Sequence, residues 1–155
     1  MTENVNQGNA PQNPQYVAFN LHDEEYGVSI LNVQEISNLT DITRVPFAAD
    51  FIKGVINLRG SVLPVIDLKK RLGLAETPYT DCTRIVTVSV EDVRAGLLVD
   101  AVTEVLSLEN APVDTKKATN VRESSKFLSG IGNINGRLIV LLNLEEIVGL
   151  PKDAK

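Results

Sequence analysis

FIKGVINLRGSVLPVIDLKKRLGL (Phe51–Leu74) recurs without a gap as FLSGIGNINGRLIVLLNLEEIVGL (Phe127–Leu150), 76 positions downstream. The pairs Phe51/Phe127, Gly54/Gly130, Asn57/Asn133, Gly60/Gly136, Leu68/Leu144, Gly73/Gly149 and Leu74/Leu150 are identical, and most other apolar positions stay apolar. An internal repeat constrains the architecture before any local reading does. The likeness extends upstream at a second offset of 69, where EYGVSILNVQEISNL (Glu25–Leu39) lies over RAGLLVDAVTEVLSL (Arg94–Leu108). Gly27 then falls on Gly96, Val33 on Val102 and Glu35 on Glu104. One short insertion separates the two blocks, and two similar subdomains are expected. Positions at which the copies differ become the candidates for function.

Within each copy the periodicity is that of short strands. Tyr16–Leu21 alternates as a strand, residues 22–27 turn the chain with Gly27 suiting the return, and Val28–Ile30 opens a second strand. Ile30–Ile36 fits one or two helical turns as well as a bent strand. Its partner Val99–Val105 is β-branched enough to favour strand, turn, strand, and the strand reading is taken for both. Residues 54–60 and 62–68 form a hairpin around Gly60-Ser61, matched by one at Asn135-Gly136. Each hairpin feeds a short helix, N-capped by Asp67 or Asn143 and stopped by Gly73 or Gly149. Many short strands with frequent turn signals predict a mainly β fold of paired small barrels. Residues 1–15, rich in Asn, Gln and Pro, read as a disordered leader, 16–150 as one domain of two intertwined subdomains, and 151–155 as a tail. Glu109–Ser125 reads as a connecting loop, with room for a brief helix.

Composition excludes several classes. The chain has 155 residues, a net charge of −5 and scattered basic residues, which argues against duplex nucleic-acid binding. No segment reads as a signal peptide, and no apolar run approaches the roughly 20 residues that span a bilayer, so a soluble cytoplasmic protein is expected. Cys82 and His22 are the only residues of their kinds, so there is no disulfide and no His/Cys set with zinc-ligand spacing. His22, beside Asp23, Glu24 and Glu25, lacks a nucleophile or orienting partner and reads as a surface-turn residue. GlyValIleAsnLeuArgGly (54–60) lacks the GKS/T ending of a phosphate loop, and nucleotide binding is rejected. No catalytic set, metal site or cofactor is expected.

The differences between the copies point to binding. Arg59, placed in an apolar strand, stands where the second copy has Asn135, and Glu35 has a counterpart in Glu104. A Glu35–Arg59 pair is expected in the first copy alone, bidentate if their strands are neighbours. Pro64 stands against Val140 and, lacking a donor, suggests an edge or bulged strand open to a partner. Ile30, Val33, Ile36, Val99 and Val102 are candidates to line a groove between subdomains, although such residues are more often core. Gly54, Asn57 and Gly60 complete the set of candidate partner-binding residues around the hairpin.

The motifs EEYGVSILNVQEI, the VP at 45–46, FIKGVINLRGSVLPVIDL, the GLLVDAVTEVL block and SGIGNINGRLIVLLNLEEI together resemble the CheW family of bacterial chemotaxis adaptors over nearly all of Tyr16–Leu150. The resemblance implies two SH3-like five-stranded β-barrels and no catalysis. It implies a bridge between the cytoplasmic tips of methyl-accepting chemoreceptors and the regulatory domain of the histidine kinase CheA. In such a bridge, a monomer joins receptor–kinase arrays at the membrane without inserting into it. Receptor contact would fall near Val33 and Ile36, and the family's Glu and Arg on Glu35 and Arg59. A CheV-type adaptor, or another peptide- or ligand-sensing module of the same fold, is the alternative.

Overall fold

The computed structural model describes residues 15–107, 126–134 and 136–149; the loop expected at Glu109–Ser125, the leader before Gln15 and the tail lie outside them. Ten strands are described: β1 Gln15–Leu21, β2 Glu24–Ser29, β3 Val33–Asn38, β4 Ile52–Leu58, β5 Ser61–Asp67, β6 Arg84–Val90, β7 Val93–Val99, β8 Ala101–Ser107, β9 Leu128–Ile134 and β10 Arg137–Leu142. Two short helices, α1 Leu68–Arg71 and α2 Leu144–Val148, follow β5 and β10. β1 begins at Gln15, the last residue assigned to the leader from the sequence.

The strands make two five-stranded sheets, ordered β8-β1-β2-β10-β9 and β3-β6-β7-β5-β4. Neither sheet is one repeat. The opening hairpin of the first copy, β1–β2, pairs with β8 and β10 of the second, while β6–β7 of the second copy pairs with β3 and β5 of the first. The copies have exchanged hairpins. The chain crosses between sheets twice, through a 3₁₀ turn at Ile30–Asn32 and through Asp100.

Burial follows from this arrangement. Each sheet wraps its own small core: Ile56, Leu63, Val65, Ile85 and Leu98 in the first barrel, and Ala18, Leu106, Ile139 and Leu141 in the second. The other faces meet in a larger shared core that includes Val17, Phe19, Val28, Ile66, Val86, Leu97 and Ile147. Interior strands such as β6 (RIVTVSV) are therefore largely buried on both faces, whereas burial along the margin strand β3 alternates. At about 25 cal/mol per Å² of apolar area, the shared core is the main reason that halves of this size stand together.

Several local expectations hold and several are corrected. Asp67 and Asn143 N-cap their helices by accepting from the backbone N–H of Lys70 and Glu146, and Gly73 and Gly149 close them at φ 79°. The first turn is His22-Asp23 alone, with His22 at φ 60°. Gly27 is not in the return but inside β2, where an added Cβ would lie 3.2 Å from Ile139. The β4–β5 turn is Arg59-Gly60 rather than Gly60-Ser61. Pro64 is on neither an edge nor a bulge, for β5 lies between β4 and β7. Its partner Val55 directs its N–H and C=O outward to Thr43 (2.8 and 2.9 Å), so Pro64 owes β4 no hydrogen bond. The parallel ladder to β7 starts only at Val65.

Candidate protein-docking site

The β4–β5 hairpin is built around its asparagine. Asn57 Oδ1 accepts from the Gly60 N–H at 3.0 Å, and Asn133 Oδ1 accepts from that of Gly136 at the same distance. The two residues shared by the copies are thus turn builders. Gly60 and Gly136, at φ 86° and 90°, occupy the left-handed conformation that glycine adopts without strain. Arg59 also lies there, at φ 54°, which costs a non-glycine residue roughly 1 kcal/mol or more. Asparagine, the second copy's residue, tolerates that region far better.

Arg59 is therefore a turn residue and not a strand residue. Its side chain is 76 % exposed, and Nη2 donates to Glu35 Oε2 at 3.1 Å. β3 and β4 are opposite margins of one sheet, so this contact bridges the open side of the barrel and is a single hydrogen bond, not a fork. Gly54 has no surface to offer: an added Cβ would sit 2.3 Å from the Thr43 carbonyl oxygen, and the residue is buried. Its role is to let residue 43 pair against β4.

The second copy does not lack an arginine. Arg137, two positions beyond Asn135, donates from Nη1 to Glu104 Oε2 at 2.9 Å, and from Nε and Nη2 to Glu25 at 3.1 and 2.7 Å. Glu25 is held below the ordinary carboxylate range, chiefly by the hydrogen bond from Arg137. Thr103 Oγ1 also donates to Glu25 at 3.3 Å. At the equivalent corner of the first barrel, Arg94 Nε donates to Gln34 Oε1 at 2.8 Å. The first corner thus carries two arginines and one glutamate, Arg59 on Glu35 and Arg94 on Gln34, while the second sets Glu25 and Glu104 around Arg137. Their charge balances are opposite.

Of the expected groove residues, Ile30 lies in a crossover between barrels, Val33, Val99 and Val102 stand beside the crossovers, and Ile36 is farther along β3. Ile30, Val33 and Val102 are partly buried against the shared core, Val99 is wholly inside it at 1 % exposure, and Ile36 is exposed. Val99 is removed as a contact candidate, because β7 is flanked on both sides and covered on both faces. Exposed apolar residues that the sequence reading missed include Leu31 in the 3₁₀ turn, Phe47 in the β3–β4 loop, and Val62 and Leu138 on the two hairpins. Val62 and Leu138 are partners in the repeat, and outward alternation along β5 and β10 would have found them. Phe47 is fully exposed at φ 68°, and no periodicity signals it.

Among the described residues, the neighbours of His22 are structural ones. Its backbone N–H donates to Asp100 Oδ2 at 2.8 Å and its Nε2 contacts the Ala75 carbonyl oxygen. Asp100 also receives Lys69 Nζ at 2.7 Å, so this cluster ties a crossover to α1. Among the described residues no group of three or more His, Cys, Asp or Glu is placed to hold a metal ion, and no helix is long and apolar enough to cross a membrane.

Ten strands in two hairpin-exchanged barrels coincide with a known pattern, for the profile of the CheW-like domain matches residues 15–152. The chain belongs to the CheW-like family. This CheW-like chain is 37 % identical to chemotaxis protein CheW of Helicobacter pylori over 139 residues, covering 90 % of this chain and 82 % of that one. It is 41 % identical to the Bacillus subtilis chemotaxis protein CheW over 110 residues, covering 68 % and 70 %. The crystal structure of the scaffolding protein TtCheW from Thermoanaerobacter tengcongensis superposes with a TM-score of 0.79 at 34 % identity, over 90 % of each chain. The CheW-like fold of two SH3-like barrels, expected from the repeat and the motifs, is the one observed.

Proposed function

We propose that this chain is a non-enzymatic chemotaxis adaptor that couples methyl-accepting chemoreceptors to the histidine kinase CheA by binding the receptor's cytoplasmic tip and the kinase's regulatory domain. The observation that carries the reading is membership of a family whose relatives are chemotaxis proteins and a scaffolding protein, over nearly the whole chain. The first hairpin supports it: an exposed arginine is kept in a backbone conformation that disfavours it, beside exposed Val62. An adaptor transmits a signal only through contacts that differ between the kinase-on and kinase-off arrangements. Arg59, Glu35 and Ile36 are our candidates for such contacts, with Ile30, Val33 and Val102 as partly buried neighbours of the crossovers. The protein acts in the cytoplasm, as a monomer until it is recruited to receptor arrays.

Mixing the purified chain with the CheA regulatory domain and a receptor cytoplasmic fragment tests this directly. Co-elution with both is expected on size exclusion. Elution apart from both partners contradicts the reading.

A further inference from the structure

Arg71 ends α1 and is the counterpart of Ile147 in α2, 76 positions on. Its Nε donates at 3.0 Å to the carbonyl of Ile147 itself, and its Nη2 at 2.9 Å to that of Glu146. The guanidinium carbon lies 3.7 Å from the Phe51 ring centroid and 4.8 Å from that of Phe127, and these rings are also counterparts. One side chain therefore contacts its own equivalent and sits between an equivalent pair. That places the pseudo-twofold axis relating the two copies at or near this guanidinium.

A position on such an axis meets itself, so the two copies cannot both fill it alike. Two guanidiniums would contend for one slot between Phe51 and Phe127 with like charges in contact. Ile147, buried at 0 % exposure, is the complement that the single arginine needs. The contacts differ in kind from the rest of the shared core. Apolar packing holds the barrels together without direction, whereas a planar fork on the last-turn carbonyls of the opposite barrel's helix, clamped by two rings, is directional. Gly149 fits the same arrangement, since a Cβ there would lie 3.3 Å from Arg71 Nη2.

We infer that Arg71 is a positioning residue that fixes the angle between the two barrels, and with it the relation between the docking faces that each barrel presents. This deepens the adaptor reading, because an adaptor joining two partners must hold its two faces in register.

The test uses the full chain with Cys82→Ser, which removes the only cysteine, and spin labels at Val62→Cys and Leu138→Cys, exposed sites on the two barrels. Pulsed electron-resonance distances are expected to give one narrow distribution with Arg71. They are expected to broaden or shift with Arg71→Leu, and to be intermediate with Arg71→Lys, which keeps a charge between the rings but lacks the fork. A purely structural role would lower the melting temperature and leave the distribution unchanged, and that result in a folded variant overturns the inference. Should Arg71→Leu fail to fold, Arg71→Lys carries the same decision. The measurement needs no partner, so its failure and that of the adaptor reading are separate outcomes.

Discussion

The two corners that bear a glutamate–arginine pair descend from the same sequence and have become different objects. At the second barrel Arg137 makes three hydrogen bonds to two glutamates, 42 % exposed, and starts a strand with ordinary geometry. At the first barrel Arg59 makes one hydrogen bond, 76 % exposed, from a left-handed turn. The first arrangement is a poor way to stabilise a hairpin, since an exposed single pair contributes about 0–1 kcal/mol and the backbone cost is of similar size. The second is a self-contained network. An arginine that is free to engage a partner looks like Arg59, and one spent on its own fold looks like Arg137.

The comparison can be broken first at its foundation. Gly54→Ala puts a Cβ against the Thr43 carbonyl, which backbone pairing on β4 cannot yield to cheaply, and should cost about 2–3 kcal/mol. Urea denaturation would show it as a lower midpoint; an unchanged midpoint would mean that the β3–β4 loop does not pack as described. A smaller effect is expected at the second corner. Because the folded-state pKa of Glu25 is depressed, its contribution is present above the unfolded carboxylate value of about 4.3 and is lost as pH falls through the folded value. Glu25→Gln should therefore lower stability by about 0.5–1 kcal/mol near neutral pH, less in high salt, with the gap to the unaltered protein closing below about pH 4. A gap independent of pH would remove the network from the account.

Arg59→Asn, which installs the second copy's residue, is expected to have the smallest effect on stability and the opposite sign. Relief of the left-handed arginine outweighs the lost exposed pair by about 0.5 kcal/mol, read as a melting temperature equal to or slightly above that of the unaltered protein. A clear fall in melting temperature would make Arg59 structural after all.

The repeat and the helix caps were legible because each is a local pattern. Hairpin exchange was not, since β1–β2 carries the same alternation whichever sheet it joins. Arg59 was placed one residue inside a strand because Gly60-Ser61 reads as a turn, whereas the Asn57 side chain closes the loop at Arg59-Gly60. Pro64 was read as an edge because its cost was assigned to β4, and only the Thr43–Val55 pairing shows that no bond is lost there. Arg137 escaped notice because position-by-position comparison sets it against Ser61, and its partner Glu25 lies 112 residues away. Val99 and Ile30 occupy matching positions at the two crossovers, yet one is core and the other half-exposed. A repeat predicts backbone more reliably than surface.

If the first corner is kept for a partner, titrating Arg59→Asn and the unaltered protein against the CheA regulatory domain and the receptor fragment by calorimetry shows it. Loss of at least one of the two interactions, with the fold and melting temperature preserved, is the predicted result. Undiminished binding of both partners would contradict it.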